Sequence, residues 1–146
     1  MTRGGSPRFR RIVVQSEMKL EQENQEPILN PSWDEVEAAL LSIHPKEKSY
    51  FTLTNAKGSY VQVAGARLRL IIEHRRKSLF GFKHVVFGRT LADPERTSIN
   101  YSGGAISLNR NEILSIDDAI TIFRAFYGGK KFPDSYLVRN VTDEQK

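Results

Sequence analysis

Arginine and lysine supply the densest chemical signal in this chain. Between residues 65 and 89 stand seven cations, Arg67, Arg69, Arg75, Arg76, Lys77, Lys83 and Arg89, against Glu73 alone. Arg67 and Arg69 alternate along a strand-like stretch, and Arg75, Arg76 and Lys77 carry the charge into the following segment, close to Phe80 and Phe82. Cations at this density bind anions. Phosphates of a single-stranded nucleic acid are one partner class, with interleaved aromatics stacking on the bases. Carboxylates on an acidic protein surface are another, where Arg and Tyr often anchor contacts. The plainer alternative is a hydrated sheet face with Phe80 and Phe82 in the core.

Catalytic groups are sparse. None of His44, His74 and His84 pairs with another at metal-ligand spacing or sits in a His-Glu-x-x-His pattern. With no cysteine there is no disulfide, thiolate metal site or cysteine nucleophile. Asp117 and Asp118 have a sufficient structural explanation as negative charge in the first turn of a helix. No Gly-x-Gly-x-x-Gly or phosphate-loop pattern occurs. We therefore expect a non-catalytic chain with no cofactor and no metal. An enzyme assembled from histidines that meet in space ranks third, behind the two binding readings.

Composition bounds the rest. A chain of 146 residues with 39% apolar content is long and greasy enough for one packed domain. Its net charge is +5, yet residues 1–29 and 90–146 are nearly balanced, so the excess is local to the middle. No apolar run approaches the ~20 residues of a bilayer span, and the N-terminus lacks the apolar core of a signal peptide. The expectation is a cytoplasmic protein without a membrane partner.

The elements that must position the cations follow from periodicity. Pro31 and the capping box of Ser32 and Glu35 open a helix whose face is Trp33, Val36, Leu40 and Ile43, ended by Pro45. The period then changes to two. Strands are expected near 50–54, 59–63, 67–73, 82–87, 98–101 and 105–108, with 74–81 and 89–96 as loops and Ala64 to Ala66 as a break. In the third of these strands Leu68, Leu70 and Ile72 point inward, and Arg67, Arg69 and Ile71 outward, which implies one covered and one wet face. Ser115 and Asp118 cap a second helix. Its face is Ile116, Ala119, Ile120, Phe123, Phe126 and Tyr127, and Gly128, Gly129 and Pro133 close it. Residues 135–138 form an edge strand. The fold class is α+β: a single antiparallel sheet of about six strands, with an N-terminal and a C-terminal helix packed on one face. Residues 1–29 are expected to be a basic and polar tail in which Ile12 to Val14 form at most a short strand and Arg8, Arg10 and Arg11 flank Phe9. The domain spans 30–142, and 143–146 fray.

The segment from Asn100 onward resembles a bacterial family. Asn100, Tyr101, Gly103 and Gly104, a short strand, then Ser115 to Ile120 with Phe123 and Phe126, a glycine stop, a basic residue and Pro133 are similar to Imm family one of polymorphic-toxin immunity proteins. Ser59 to Gly65 resembles that family's early sheet, and the likeness covers roughly residues 30–140. It implies a protein that neutralises a cognate toxin, often deaminase-type, by binding and occlusion without catalysis. Inhibitors of nucleic-acid-modifying toxins are often acidic, whereas this chain is basic, so the implied target presents an acidic surface. Arg67, Arg69, Arg75, Arg76, Lys77 and Tyr101 are the expected contact residues. A small nucleic-acid-binding module using the patch 67–83 is the alternative.

Overall fold

Alternating apolar residues lay down most of the architecture. In a computed structural model that describes residues 17–146, the strands are β1 (Lys19–Gln22), β2 (Ile28–Leu29), β3 (Tyr50–Thr54), β4 (Tyr60–Ala66), β5 (Arg69–Ser78), β6 (Gly81–Gly88), β7 (Arg96–Tyr101), β8 (Gly104–Asn109) and β9 (Leu137–Asn140). The helices are α1 (Trp33–Leu41) and α2 (Ile116–Tyr127), with 3-10 turns at Arg110–Glu112 and Thr142–Gln145. The class is α+β. All pairings are antiparallel, and the main sheet has seven strands in the order β9-β6-β5-β4-β3-β1-β2.

The expected single sheet of about six strands is corrected in two ways. Residues 19–22 and 28–29, placed by sequence in the tail, pair with each other, and 19–22 also pairs with β3, so two strands precede α1. Leu20 explains why: its side chain is fully buried opposite Leu53. The expected strand at Ile12 to Val14 and the arginines around Phe9 lie outside the described residues. Second, β7 and β8 form a separate two-stranded hairpin instead of extending the sheet.

That hairpin answers the parity of β5. Leu70 and Ile72 face the helices with Phe51, Leu53, Val61, Val63 and Phe87. Ile71 is also buried, on the opposite face, with Ala64, Val86, Ile99, Leu108 and Val141. The expected wet face is thus half covered, and the molecule has three layers: helices, sheet, hairpin. A strand buried on both sides reads as a continuous apolar run, which Leu70 to Ile72 is. Leu68, expected inward, lies in the two-residue turn between Ala66 and Arg69 and is 79% exposed. Gly65 keeps β4 going through the expected break. Its φ is +128°, and a Cβ there would stand 2.4 Å from the Arg69 carbonyl oxygen, so only glycine fits this close approach.

Both helices start as the sequence suggests. Ser32 Oγ accepts from the Glu35 N–H, and Glu35 Oε1 accepts from the Ser32 N–H. At α2, Asp118 Oδ2 accepts from both the N–H and the hydroxyl of Ser115. Paired backbone bonds between Leu70 and Leu114, and one from Ile116 N–H to Arg67 O, fix the entry of α2 against β5. Ile116, Ala119, Ile122, Phe123 and Phe126 are then buried, with Ile120 and Tyr127 at the margin. At the C-terminus, Thr142–Gln145 is a 3-10 turn, where a frayed end was expected. Val141 is buried, and Thr142 Oγ1 accepts from the His84 N–H.

Candidate partner-binding site

The six cation and tyrosine positions singled out by sequence do not form one surface. Arg67 in the turn and Arg69 at the start of β5 lie at one end of the strand, and Arg75, Arg76 and Lys77 lie six or more residues away, roughly 20 Å along an extended strand. Arg67 donates from Nη1 to the Leu41 carbonyl (2.7 Å), supplying positive charge to the last turn of α1, which has no basic residue of its own. Arg69 donates to the Ser98 carbonyl (3.1 Å) and so clips the β7–β8 hairpin to the sheet. Tyr101 packs edge-on against Tyr50, with ring centroids 6.2 Å apart, and its hydroxyl lies over Gly103, where a Cβ would clash. These three have structural work in the fold.

Arg75 is embedded in a polar network on the hairpin side of the sheet. It donates from Nε to His84 Nδ1 (3.0 Å) and from Nη2 to Gln145 (3.0 Å), with its guanidinium 4.0 Å above the Phe82 ring. His84 Nδ1 is thereby an acceptor, so its proton sits on Nε2 and is donated to Glu73 (2.8 Å). A carboxylate–imidazole pair of this kind orients a general base in many enzymes. Here both ring nitrogens are engaged internally, and the ring is 1% exposed. The network braces β5 against β6. Among the described residues, no three side chains are grouped as metal ligands, and no helix is long and apolar enough to cross a membrane.

Beyond that brace the hairpin projects. β5 continues to Ser78, so the expected loop 74–81 shrinks to Leu79 and Phe80. Residues 76–78 and 81–83 pair only with each other: β4 stops opposite Arg75 and β9 opposite Val85. Three residues of extended chain put the tip about 10 Å beyond its neighbours. Lys77 N–H donates to Ser59 Oγ at the root. Phe82 is half-buried under Arg75, whereas Leu79 and Phe80 are 95% and 99% exposed at the tip. Core burial of Phe80, the plainer alternative at sequence level, does not occur.

Behind the tip, on the helix side, lies an open groove of about 670 Å³. Arg76 and Lys83, a cross-strand pair, stand along the sheet side, and Lys130 and Lys131 along the loop that follows α2. Asp134 is the one carboxylate among the lining residues. None of the four cations joins an ion pair among the described residues. The floor is a herringbone of rings: His74 to Phe132 at 4.9 Å, Phe132 to Phe87 at 5.0 Å and Phe87 to Tyr136 at 6.2 Å, all edge-to-face. Sequence reading missed this convergence because residues 130 and 131 lie far along the chain from 76 and 83. The available clue was Lys130-Lys131-Phe132 directly after a helix stop.

His74 sits half-buried in the groove floor beside Arg76. Burial, then the neighbouring Arg76 and His84, hold its pKa down from 6.5 to about 4. A lowered imidazole pKa means the unfolded chain binds the proton first as pH falls, so stability drops from pH 6.5 toward about 4. The ring is partly solvated, which screens the effect to about 1–2 kcal/mol. His74→Phe is expected to keep the herringbone and flatten that part of the profile relative to wild type, as read by urea unfolding at a series of pH values. An unchanged slope would dismiss His74 as its source.

No protein-family model matches this chain, and no curated protein does.

Proposed function

We propose that this chain is a non-catalytic immunity protein that binds a cognate bacterial toxin in the cytoplasm and neutralises it by occlusion, using the β5–β6 arm as its principal contact. One observation carries the reading: Leu79 and Phe80 are held almost fully exposed at the end of a braced arm, among Arg76, Lys77 and Lys83. Burying those two side chains in a partner is worth about 1.5–3 kcal/mol each. An apolar anchor ringed by cations matches the architecture of a hot spot, with the charges guiding approach to an acidic face. The likeness to Imm family one supplies the class of target, a deaminase-type toxin. Occlusion asks for complementarity and leaves catalytic groups unnecessary.

The test is co-expression with the toxin-like reading frame beside the gene. Wild type restores growth; the double variant Leu79→Asn/Phe80→Asn, at sites that touch nothing in the core, keeps its melting temperature and loses rescue by at least ten-fold in viable counts. Full protection by the double variant would sink the arm, and absence of rescue by wild type would sink the immunity reading.

The second reading, a single-strand nucleic-acid module, draws on the cations Arg76, Lys83, Lys130 and Lys131 gathered around one groove. It requires generic oligonucleotide binding with log K falling against log salt at a slope near −3 for four phosphates, from about −0.7 per contact.

A further inference from the structure

We infer that the groove behind the arm is a second contact site, built for an acidic peptide segment of the form acid–apolar–acid. The inference deepens the occlusion reading by naming the chemistry of the partner's segment, and it rests on that reading for the segment's source. Three features fix the ligand class. First, the cations come in two pairs on two walls, Arg76 and Lys83 from the strands, Lys130 and Lys131 from the loop after α2. Two separated anionic groups therefore suit the groove better than one. Second, the space between them is apolar, floored by Val85, Phe87, Phe132 and Tyr136, and about 670 Å³ is ample for one large side chain with its flanking backbone.

Third, the floor discriminates between classes of anion. Base stacking needs an open ring face. In this floor neighbouring rings are steeply tilted: His74 against Phe132, Phe132 against Phe87 and Phe87 against Tyr136 stand at interplanar angles of 66°, 70° and 76°, so no two neighbours share a plane on which successive bases could stack. Such a corrugated surface accepts one aliphatic or aromatic side chain, and it offers successive nucleobases no continuous platform. His74, held neutral at physiological pH by burial and Arg76, adds apolar surface without adding charge. The four cations, unpaired within the described residues, carry the attraction. Charge complementarity selects an anionic segment, and the tilted rings between the cation pairs favour a peptide with one apolar side chain over a run of stacked bases.

Three probes of matched net charge test this on the isotope-labelled full chain by NMR titration: acetyl-Glu-Asp-Phe-Glu-Asp-amide, the same peptide with Ser for Phe, and a short oligothymidylate. The Phe peptide is expected to shift amide signals of Arg76, Lys83, Phe132 and Tyr136. Losing the anchor should weaken binding about ten-fold or more, the worth of one buried aromatic side chain. The exposed charge-reversal pair Arg76→Glu/Lys83→Glu should weaken it at least ten-fold while the amide spectrum elsewhere stays native. Equal binding of the Ser peptide, indifference to charge reversal, or tighter binding of the oligothymidylate each overturns the inference, the last in favour of nucleic acid. If the Phe peptide fails while wild type still rescues cells through Leu79 and Phe80, the groove falls and the occlusion reading stands. If the peptide binds but no rescue occurs, the groove is a peptide site whose segment comes from something other than a toxin.

Discussion

Arg139→Ala is expected to cost about 3–5 kcal/mol, the loss typical of removing one partner from a buried ion pair. Arg139 donates from Nε to Glu112 Oε2 at 2.7 Å and from Nη2 to Oε1 at 2.9 Å, a bidentate fork. Glu112 is 2% exposed. Without the guanidinium its carboxylate keeps only the Asn109 N–H, 2.8 Å away, as a donor. The penalty is chiefly that of stranding a buried charge, so the double variant Glu112→Leu/Arg139→Met should recover at least half of it. Urea unfolding of the two variants decides. A loss under about 1 kcal/mol for Arg139→Ala would mean the pair behaves like an exposed bridge. The exposed pair between Arg110 and Glu95 provides that comparison inside the same molecule.

The consequence reaches the groove. Arg139 belongs to β9, the edge strand whose Val138 lines the groove, and Glu112 to the 3-10 turn that leads from β8 toward α2. The fork therefore holds the outer strand to the back layer. A second clamp holds the segment that joins α2 to β9. Asp118 accepts from Tyr136 Oη (2.7 Å) and from Arg89 (3.2 Å) while it caps α2. Burial alone would raise the Asp118 pKa; these bonds and the Ser115 N–H outweigh it and hold the carboxyl below its usual value. Loosening β9 is thus expected to blur the groove first and to reach the arm through Thr142 and Gln145, which touch His84 and Arg75 from the turn after β9.

Local rules made the helices and most strands legible. Ser32 with Glu35 and Ser115 with Asp118 cap in place, because capping joins residues three apart. Strand β3 keeps its expected bounds because alternation is a property of consecutive residues. What failed was long-range. Ile71 reads as outward until a hairpin from residues 96–109 covers it, and within β5 only the short apolar run Leu70 to Ile72 hints at that cover. Lys19 to Gln22 looks like tail because only Leu20 of its residues is buried. The candidate site divides the same way. Arg76 and Lys77 could be named from the charge run, but Arg75 in that run is spent on His84, and Lys130 and Lys131 join it only through the fold. Phe80 reads from sequence either as an aromatic beside the cations or as core, and Leu79 carries no signal of its own; the two-residue turn puts both at an exposed tip.

Phe123→Ala and Phe80→Ala make that contrast measurable. Phe123 is fully buried in the middle of α2, among Leu40, Val61, Leu70, Ile72 and Ile122 in the main core. Truncating it removes most of an aromatic side chain from a site closed on both sides by helix and sheet, and it should cost about 3–5 kcal/mol. In a chain of this size that corresponds to a fall in melting temperature of about 10 °C or more. Phe80, 99% exposed, should change stability by no more than about 0.5 kcal/mol. The two substitutions delete the same atoms, so composition and unfolded-state effects largely cancel between them, and the difference reports where each ring sits. If Phe80→Ala proved as damaging as Phe123→Ala, the tip would be packed, and the arm would lose its claim on a partner. If Phe123→Ala cost under about 1 kcal/mol, α2 would not cover β4 and β5 as described, and the loop carrying Lys130 and Lys131 would lose the anchor that sets it across from Arg76 and Lys83.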